Sequence, residues 1–241
     1  SSGESDQLDP TAKENTFLRV YRNGQLTPVI PGSSLKGVFR STAEQLLDGS
    51  CNILGRSRCG GARRMRSGAE KYRHSCPVCK LFGSTALKSR ISFKDAYPIG
   101  EAKTGYRASV AIDRITGAAK GGSLYDFEYV EDGIFAGEIR IKNFFRWHIK
   151  LLLEILDRID EGYVAFGGLT SKGFGQMKID DISICLRYYD MTKLTVGYEN
   201  KGFYMERLIE NREELDKSLK DVFLQDNKTL QESRLKNDKA I

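Results

Sequence analysis

Four of the five cysteines in this 241-residue chain, Cys51, Cys59, Cys76 and Cys79, crowd into one short polar window. Nothing else in the sequence limits the fold as tightly. Cys76-Pro-Val-Cys79 has the two-residue spacing that lets both thiolates reach one tetrahedral ion, and Cys59 and Cys51 lie just upstream. His74, one of two histidines, is a fifth candidate donor. Only four ligands are wanted, so one of the five is not a ligand. From Arg56 to Lys94, overlapping that window, the bases are Arg56, Arg58, Arg63, Arg64, Arg66, Lys71, Arg73, Lys80, Lys88, Arg90 and Lys94 against the single acid Glu70. A loop of that composition, from roughly residue 49 to 85, buries too little apolar surface to order itself, and a closed metal site can supply the missing free energy. Structural Zn2+ is therefore expected, holding the arginine cluster in place. A catalytic zinc would need an open position and a nearby carboxylate base. Free thiols are the alternative, but a polar loop gives them little core to hide in.

The rest of the composition sets bounds. At 40% hydrophobic the chain can bury a real core, and its length suits one elaborated domain with a tail. No apolar run approaches the roughly 18 residues that cross a bilayer, and the opening SSGESDQLDP has no signal-peptide core. A soluble, cytoplasmic protein with no membrane partner is expected. The net charge of +6 and pI near 9.0 suit a polyanionic partner.

Local patterns predict the elements. After Pro31-Gly-Ser-Ser-Leu-Lys-Gly, a helix is expected over Leu35–Leu47 with Ser33 or Ser34 as N-cap. ISFKDAY, LYDFEYV and GIFAGEIRIK alternate as strands do. Residues 103–125, glycine-rich with scattered bases, read as a protruding hairpin-like excursion. NFFRWHIKLLLEILDRID places Phe145, Ile149, Leu152, Leu153, Leu156 and Ile159 on a broad apolar helix face. His148 reads as a packed or surface residue and Cys185 as buried. GQMKIDDISICLRY is an extended segment closing the core. Residues 1–189 are expected to form the main domain and 190–241 a charged tail with a helix over MERLIENREELDKSLKDVFL. The order of helix, strands, helix and strand is what remains of a split βαββαβ plan, which would need one more strand before residue 1.

Two glycine-rich loops are candidates for holding phosphate groups. Gly32, Ser33, Ser34 and Lys36 lead into a helix N-terminus, where backbone N–H groups and the helix dipole favour a phosphate, and Arg40 lies one turn on. Simple helix capping by the serines is the competing account. Gly168, Ser171, Lys172 and Gly173 let the backbone approach a sugar-phosphate chain closely, with Lys172 as the charge; an ordinary flexible turn is its alternative. Arg63 and Arg64 lie on the basic flank held by the metal.

IPGSSLKGVFRSTAEQLL, CPVCKLFGS, VAIDRITGAAKGGSLYDFEYV and FGGLTSKGFGQMKI, in this order and spacing, resemble the RAMP-type backbone subunits of type III CRISPR effector complexes. The resemblance covers most of residues 28 to 180. It implies an α+β fold with a ferredoxin-like, RRM-related core, a zinc-binding insertion and a thumb hairpin. It implies copies or paralogues stacked in a filament along a guide RNA, with target RNA and other effector subunits as partners. Arg107, Asp113, Arg114, Ile115 and Thr116 match the family's thumb, which wedges the guide–target duplex, and the cysteines are favoured over His74 as ligands. Members that cut target RNA carry an Asp on the loop before the Pro-Gly-Ser-Ser motif, which helps activate the 2′-OH or organises a divalent ion such as Mg2+ at the phosphate. This chain departs from that pattern: Glu14 is the nearest positional match, and Asp9 and Asp6 are the nearest aspartates. A guide-precursor processing ribonuclease of the same superfamily is the alternative function. Such enzymes tend to rely on His, Tyr or Lys near the RNA.

Overall fold

The computed structural model describes residues 16–51, 59, 64, 65, 67–190 and 197–224. Its contacts divide the chain into two compact units. The fold is α+β. The strands of the described residues pair in sheets of two or three, and no single four-stranded sheet forms among them.

The first unit comprises the chain up to Gly37 together with Ser92–Arg140 and Gly167–Phe174. It opens with a hairpin of β1 (Arg19–Arg22) and β2 (Gln25–Pro28), in register from Arg19 opposite Pro28 to Arg22 opposite Gln25. Asn23 and Gly24 make the turn at φ of 50° and 78°, the left-handed pair that a two-residue hairpin requires. Two strands thus precede the first helix within the chain, in a stretch where the sequence reading assigned no element.

The excursion is a long antiparallel arm of β5 (Lys103–Ile112) and β6 (Ala119–Asp132), following β3 (Ile91–Phe93) and β4 (Tyr97–Pro98). LYDFEYV is the middle of β6 rather than a separate strand. GIFAGEIRIK splits into β7 (Phe135–Ala136), paired with β4, and β8 (Ile139–Ile141), paired with β3. The arm is anchored near its base. Arg19 Nη1 donates to Glu128 Oε2 at 2.7 Å, and Nη2 donates to Oε1. Phe127 and Tyr129 meet Phe174 edge-on, with centroids 5.0 and 5.5 Å apart.

The second unit comprises Val38–Ile91, Ile141–Phe166 and the chain from Gly175 onward. Helix α1 (Gly32–Leu46) begins three residues earlier than expected, and buries Phe39, Ala43 and, just past its end, Leu47. Two short helices follow, α2 (Gly68–His74), capped by Ser67, and α3 (Pro77–Phe82). Helix α4 (Arg146–Asp160) is the centre of this unit, with Trp147, His148, Ile149, Leu151, Leu153, Ile155 and Ile159 buried. The expected stripe is therefore corrected: Leu152 and Leu156 are half-buried, and burial extends around the helix because other elements pack on more than one side.

The charged tail is also corrected. Glu199–Asn200 (β10) and Met205–Ile209 (β11) are strands in a sheet of order β10–β11–β9, where β9 is Ile184–Tyr188, and among the described residues of the tail only Arg212–Ser218 (α5) is helical. Met205, Leu208 and Ile209 suit a helical period in sequence, but pairing with β9 decides the outcome. Leu215, Leu219, Val222 and Leu224 are buried, and Arg212 reaches Asp157 on α4 at 2.7 Å. Cys185 is exposed while Leu186 is buried, so β9 presents the opposite face from the one expected. No helix among the described residues is long and apolar enough to cross a membrane.

Candidate metal centre and nucleic-acid interface

The cysteines converge. Sulfur atoms of Cys51, Cys59, Cys76 and Cys79 all lie within 4.8 Å of one another, with Cys59, Cys76 and Cys79 buried and Cys51 half-buried. All four are free thiols. Tetrahedral thiolates about 2.3 Å from one ion would sit roughly 3.8 Å apart, a spacing this cluster accommodates. Cys76 is the N-cap of α3 with Pro77 at the first helical position, so the CPVC turn forms without strain. Backbone N–H groups already serve the sulfurs: Cys76 N donates to Cys59 Sγ at 3.0 Å and Cys79 N to Cys76 Sγ at 3.4 Å. Hydrogen bonds from the Cys79 thiol and backbone pull the Cys76 pKa down to about 5, whereas burial pushes Cys59 up to about 11. The thiolate is thus favoured at Cys76 and opposed at Cys59 and Cys79, whereas a divalent cation would favour thiolates throughout. An all-sulfur, largely buried donor set fits a closed structural site. His74, on the last turn of α2, is exposed and outside the cluster.

The glycine at the end of α3 is needed where it stands. Gly83 has φ of 88°, and a Cβ there would lie 2.8 Å from the Ser89 nitrogen.

In the first unit, the RNA candidates fall on distinct features. At the tip of the arm, Asp113 Oδ1 accepts from the backbone nitrogens of Ile115 and Thr116 at 2.8 and 2.9 Å, which holds its carboxyl below the usual range. That turn displays Arg114 and leaves Ile115 96% exposed. Arg107 lies over the Phe174 ring at 5.8 Å. Gly168, Ser171, Lys172 and Gly173 are exposed, around a single 3-10 turn over Thr170–Lys172. Lys172 Nζ donates to Tyr125 Oη at 2.7 Å, joining the glycine-rich loop to β6 and lowering the Tyr125 pKa. Tyr125 and Phe174 are functional candidates that the sequence reading passed over; the signal was aromatic residues spaced among bases.

The start of α1 differs from expectation. Ser33 and Ser34 are helical and exposed rather than capping. The Gly32 N–H donates instead to Asp95 Oδ1 at 2.7 Å. Gly32 is buried, and a Cβ there would lie 2.5 Å from the Phe93 carbonyl oxygen, so its smallness serves packing. Asp95 also lines an open groove of about 790 Å3 with Arg22, Lys94, Tyr97 and Glu138, where Arg22 stacks on Tyr97 at 4.3 Å. Lys36 is half-buried. Arg40, grouped with it in sequence, belongs to the metal-bearing unit: it donates to Glu44, Gly83 and Cys79. Arg64 is exposed; Arg63, Glu14 and Asp9 lie outside the described residues.

His148 is excluded from acid–base work by its surroundings. It is fully buried, burial drives its pKa down to about 3, and its Nδ1 accepts from the Phe145 backbone at 3.0 Å, closing the start of α4.

The RAMP superfamily model matches residues 11–178, which includes the cysteine cluster, the arm and both glycine-rich loops. The chain belongs to the RAMP superfamily. This RAMP protein is also similar to the CRISPR system Cms endoribonuclease Csm3 of Methanothermobacter thermautotrophicus (strain Delta H). The two are 27% identical over 236 residues, covering 82% of this chain and 84% of that protein.

Proposed function

We propose that this RAMP protein is a guide-RNA-binding backbone subunit of a type III CRISPR interference complex, with the ferredoxin-like core of that class. The observation that carries the reading is the similarity to Csm3 across most of both chains, joined to the geometry of the arm and glycine-rich loop. In this reading, copies or paralogues stack along a guide RNA in the cytoplasm beside other effector subunits. Gly168, Ser171, Lys172 and Gly173 form one wall of the guide groove, and Gly32, Ser33, Ser34 and Lys36 the other. Arg107 and Arg114 hold the backbone near the arm, and Ile115 wedges the guide–target duplex. Bound at Cys51, Cys59, Cys76 and Cys79, Zn2+ supplies a fixed crosslink that orders the basic flank containing Arg63 and Arg64.

Cleavage of bound target RNA is the finer part of the proposal, assigned to Glu14 or Asp9 ahead of β1 with a divalent ion such as Mg2+ at the phosphate. The burial of His148 removes one of the two histidines from the alternative of a His-dependent precursor-processing ribonuclease, leaving only the exposed His74 for that role.

Binding of labelled guide RNA measured across salt concentrations tests the reading. Neutralising Z phosphates of a single strand should give a log–log slope of about −0.7Z. A flat response, or no binding, overturns it. For cleavage, Glu14→Ala and Asp9→Ala in the assembled complex are the informative pair, and normal cutting by both would remove this assignment.

A further inference from the structure

Arg40 sits mid-way along α1 with only 18% of its side chain exposed. Its guanidinium turns inward. Nε donates to Glu44 Oε1 at 3.0 Å, Nη1 to the Gly83 carbonyl at 3.0 Å, and Nη2 to Cys79 Sγ at 3.4 Å. One planar fork thus grips both a sulfur inside α3 and the carbonyl that ends it, while Glu44 one turn along fixes its orientation. We infer that Arg40 is the positioning residue of the metal centre, balancing its thiolate charge and locking α1 to the CPVC turn.

The inference rests on the metal reading above. Four thiolates around a divalent cation carry a net charge of −2, and a buried anion of that size needs donors around it. Cys59 and Cys76 sulfurs receive backbone N–H groups. Cys79, the most buried at 0% exposure, receives Arg40. Lys80, next in sequence, is directed over the Tyr72 ring at 5.2 Å. Gly83 closes α3 with its own N–H donating to the Cys79 carbonyl at 3.0 Å, so the carbonyl that Arg40 holds belongs to the same short helix end. A lysine at position 40 would keep the charge but has no fork with which to hold sulfur and carbonyl together. Since Ser33, Ser34 and Lys36 lie on the same helix, metal occupancy would then set how firmly that helix is held.

The test compares the full-length chain with Arg40→Met, Arg40→Lys and Glu44→Gln, using Zn2+ competition against a chromophoric chelator and Co2+ absorption spectra. Removing an outer partner of a metal ligand typically weakens affinity about 10–100-fold, and Arg40→Met should fall in that range. Its thiolate-to-Co2+ charge-transfer band should move to lower energy, because the sulfur lone pairs lose a stabilising donor. Arg40→Lys should recover part of both effects, and Glu44→Gln should show a smaller loss. The band is read only from chains that hold metal, so partial unfolding does not obscure it. An Arg40→Met chain that merely melts earlier, with wild-type Zn2+ affinity and an unmoved band, overturns the inference. A wild-type chain that shows no charge-transfer band overturns the metal reading, and this inference with it.

Discussion

The ion pair between Arg19 and Glu128 offers a prediction with opposite signs in two directions. Arg19 lies on β1, directly after the segment containing Glu14, and Glu128 lies near the base of the arm. The Glu128 side chain has no exposure, whereas that of Arg19 is 24% exposed. Removing one partner of a buried pair costs about 3–5 kcal/mol, because the survivor is left charged and dry. Arg19→Met strands a carboxylate that cannot reach water, so the cost should be about 3 kcal/mol. Glu128→Gln strands a guanidinium that can, and should cost about 1–2 kcal/mol. Replacing both with methionine should recover most of the loss.

Titration gives the second signature. Burial works to raise the Glu128 pKa, but the hydrogen bonds and charge of Arg19 outweigh it and hold the carboxyl below its usual value. In the wild type this stabilisation is therefore complete above the unfolded carboxylate pKa of about 4.3 and is lost as pH falls through the lower folded value. In Arg19→Met burial is opposed only by the smaller contributions of the Tyr106 side chain and the Phe17 backbone, so the folded pKa rises and the native state takes up the proton more readily than the unfolded state. The deficit of Arg19→Met should thus shrink as pH falls from 8 to 4. Urea unfolding followed by far-UV circular dichroism measures both effects; with a slope near 2 kcal/mol/M the midpoint should drop by about 1.5 M. Equal losses for the two single substitutions, or a deficit for Arg19→Met that grows toward acid, would refute the reasoning.

Gly175→Ala should destabilise by more than about 3 kcal/mol, since its φ is 83° and a Cβ would lie 2.0 Å from the Phe166 oxygen, whereas Gly168→Ala meets nothing within 4 Å and should stay within about 1 kcal/mol in the same unfolding assay. Lys172→Ala should leave folding intact but reduce the salt slope of guide binding by about 0.7, the value for one single-strand phosphate contact. Ile115→Asp, at a site 96% exposed, should not move the melting temperature but should weaken capture of target RNA by guide-loaded complex. Extracting metal with a strong chelator should raise proteolytic cutting between Cys51 and Cys79, and metal analysis of the untreated protein should give one ion per chain.

What the sequence revealed and what it hid divide along chain distance. The CPVC turn and the apolar run of α4 depend on neighbours within a few residues, so spacing alone exposes them, whereas Asp113 entered only through the resemblance to the family's thumb. The hairpin at Asn23-Gly24 carried its own local signal, a two-residue turn dipeptide between alternating side chains, and was legible though unread. Partners far along the chain left no local trace. Nothing near Arg40 announces that its donors go to Cys79 and Gly83, and nothing near Gly32 announces Asp95. Met205–Ile209 shows the reverse case, in which a helix-compatible pattern yields to pairing with a strand elsewhere.

The carboxylate of Asp95 at the start of α1 has a consequence for which anions this helix end can accept. A tethered group occupies its site at an effective concentration of millimolar or more, set by geometry rather than by solution conditions. Inorganic phosphate or a mononucleotide must outcompete that resident anion with a single contact, and will mostly fail. A polymer held at several other points brings its own phosphate at comparable local concentration and can displace the carboxylate. In the proposed RNA-binding reading, Asp95 would thus make the helix end a filter by valency, closed to small anions and open to a strand already gripped elsewhere.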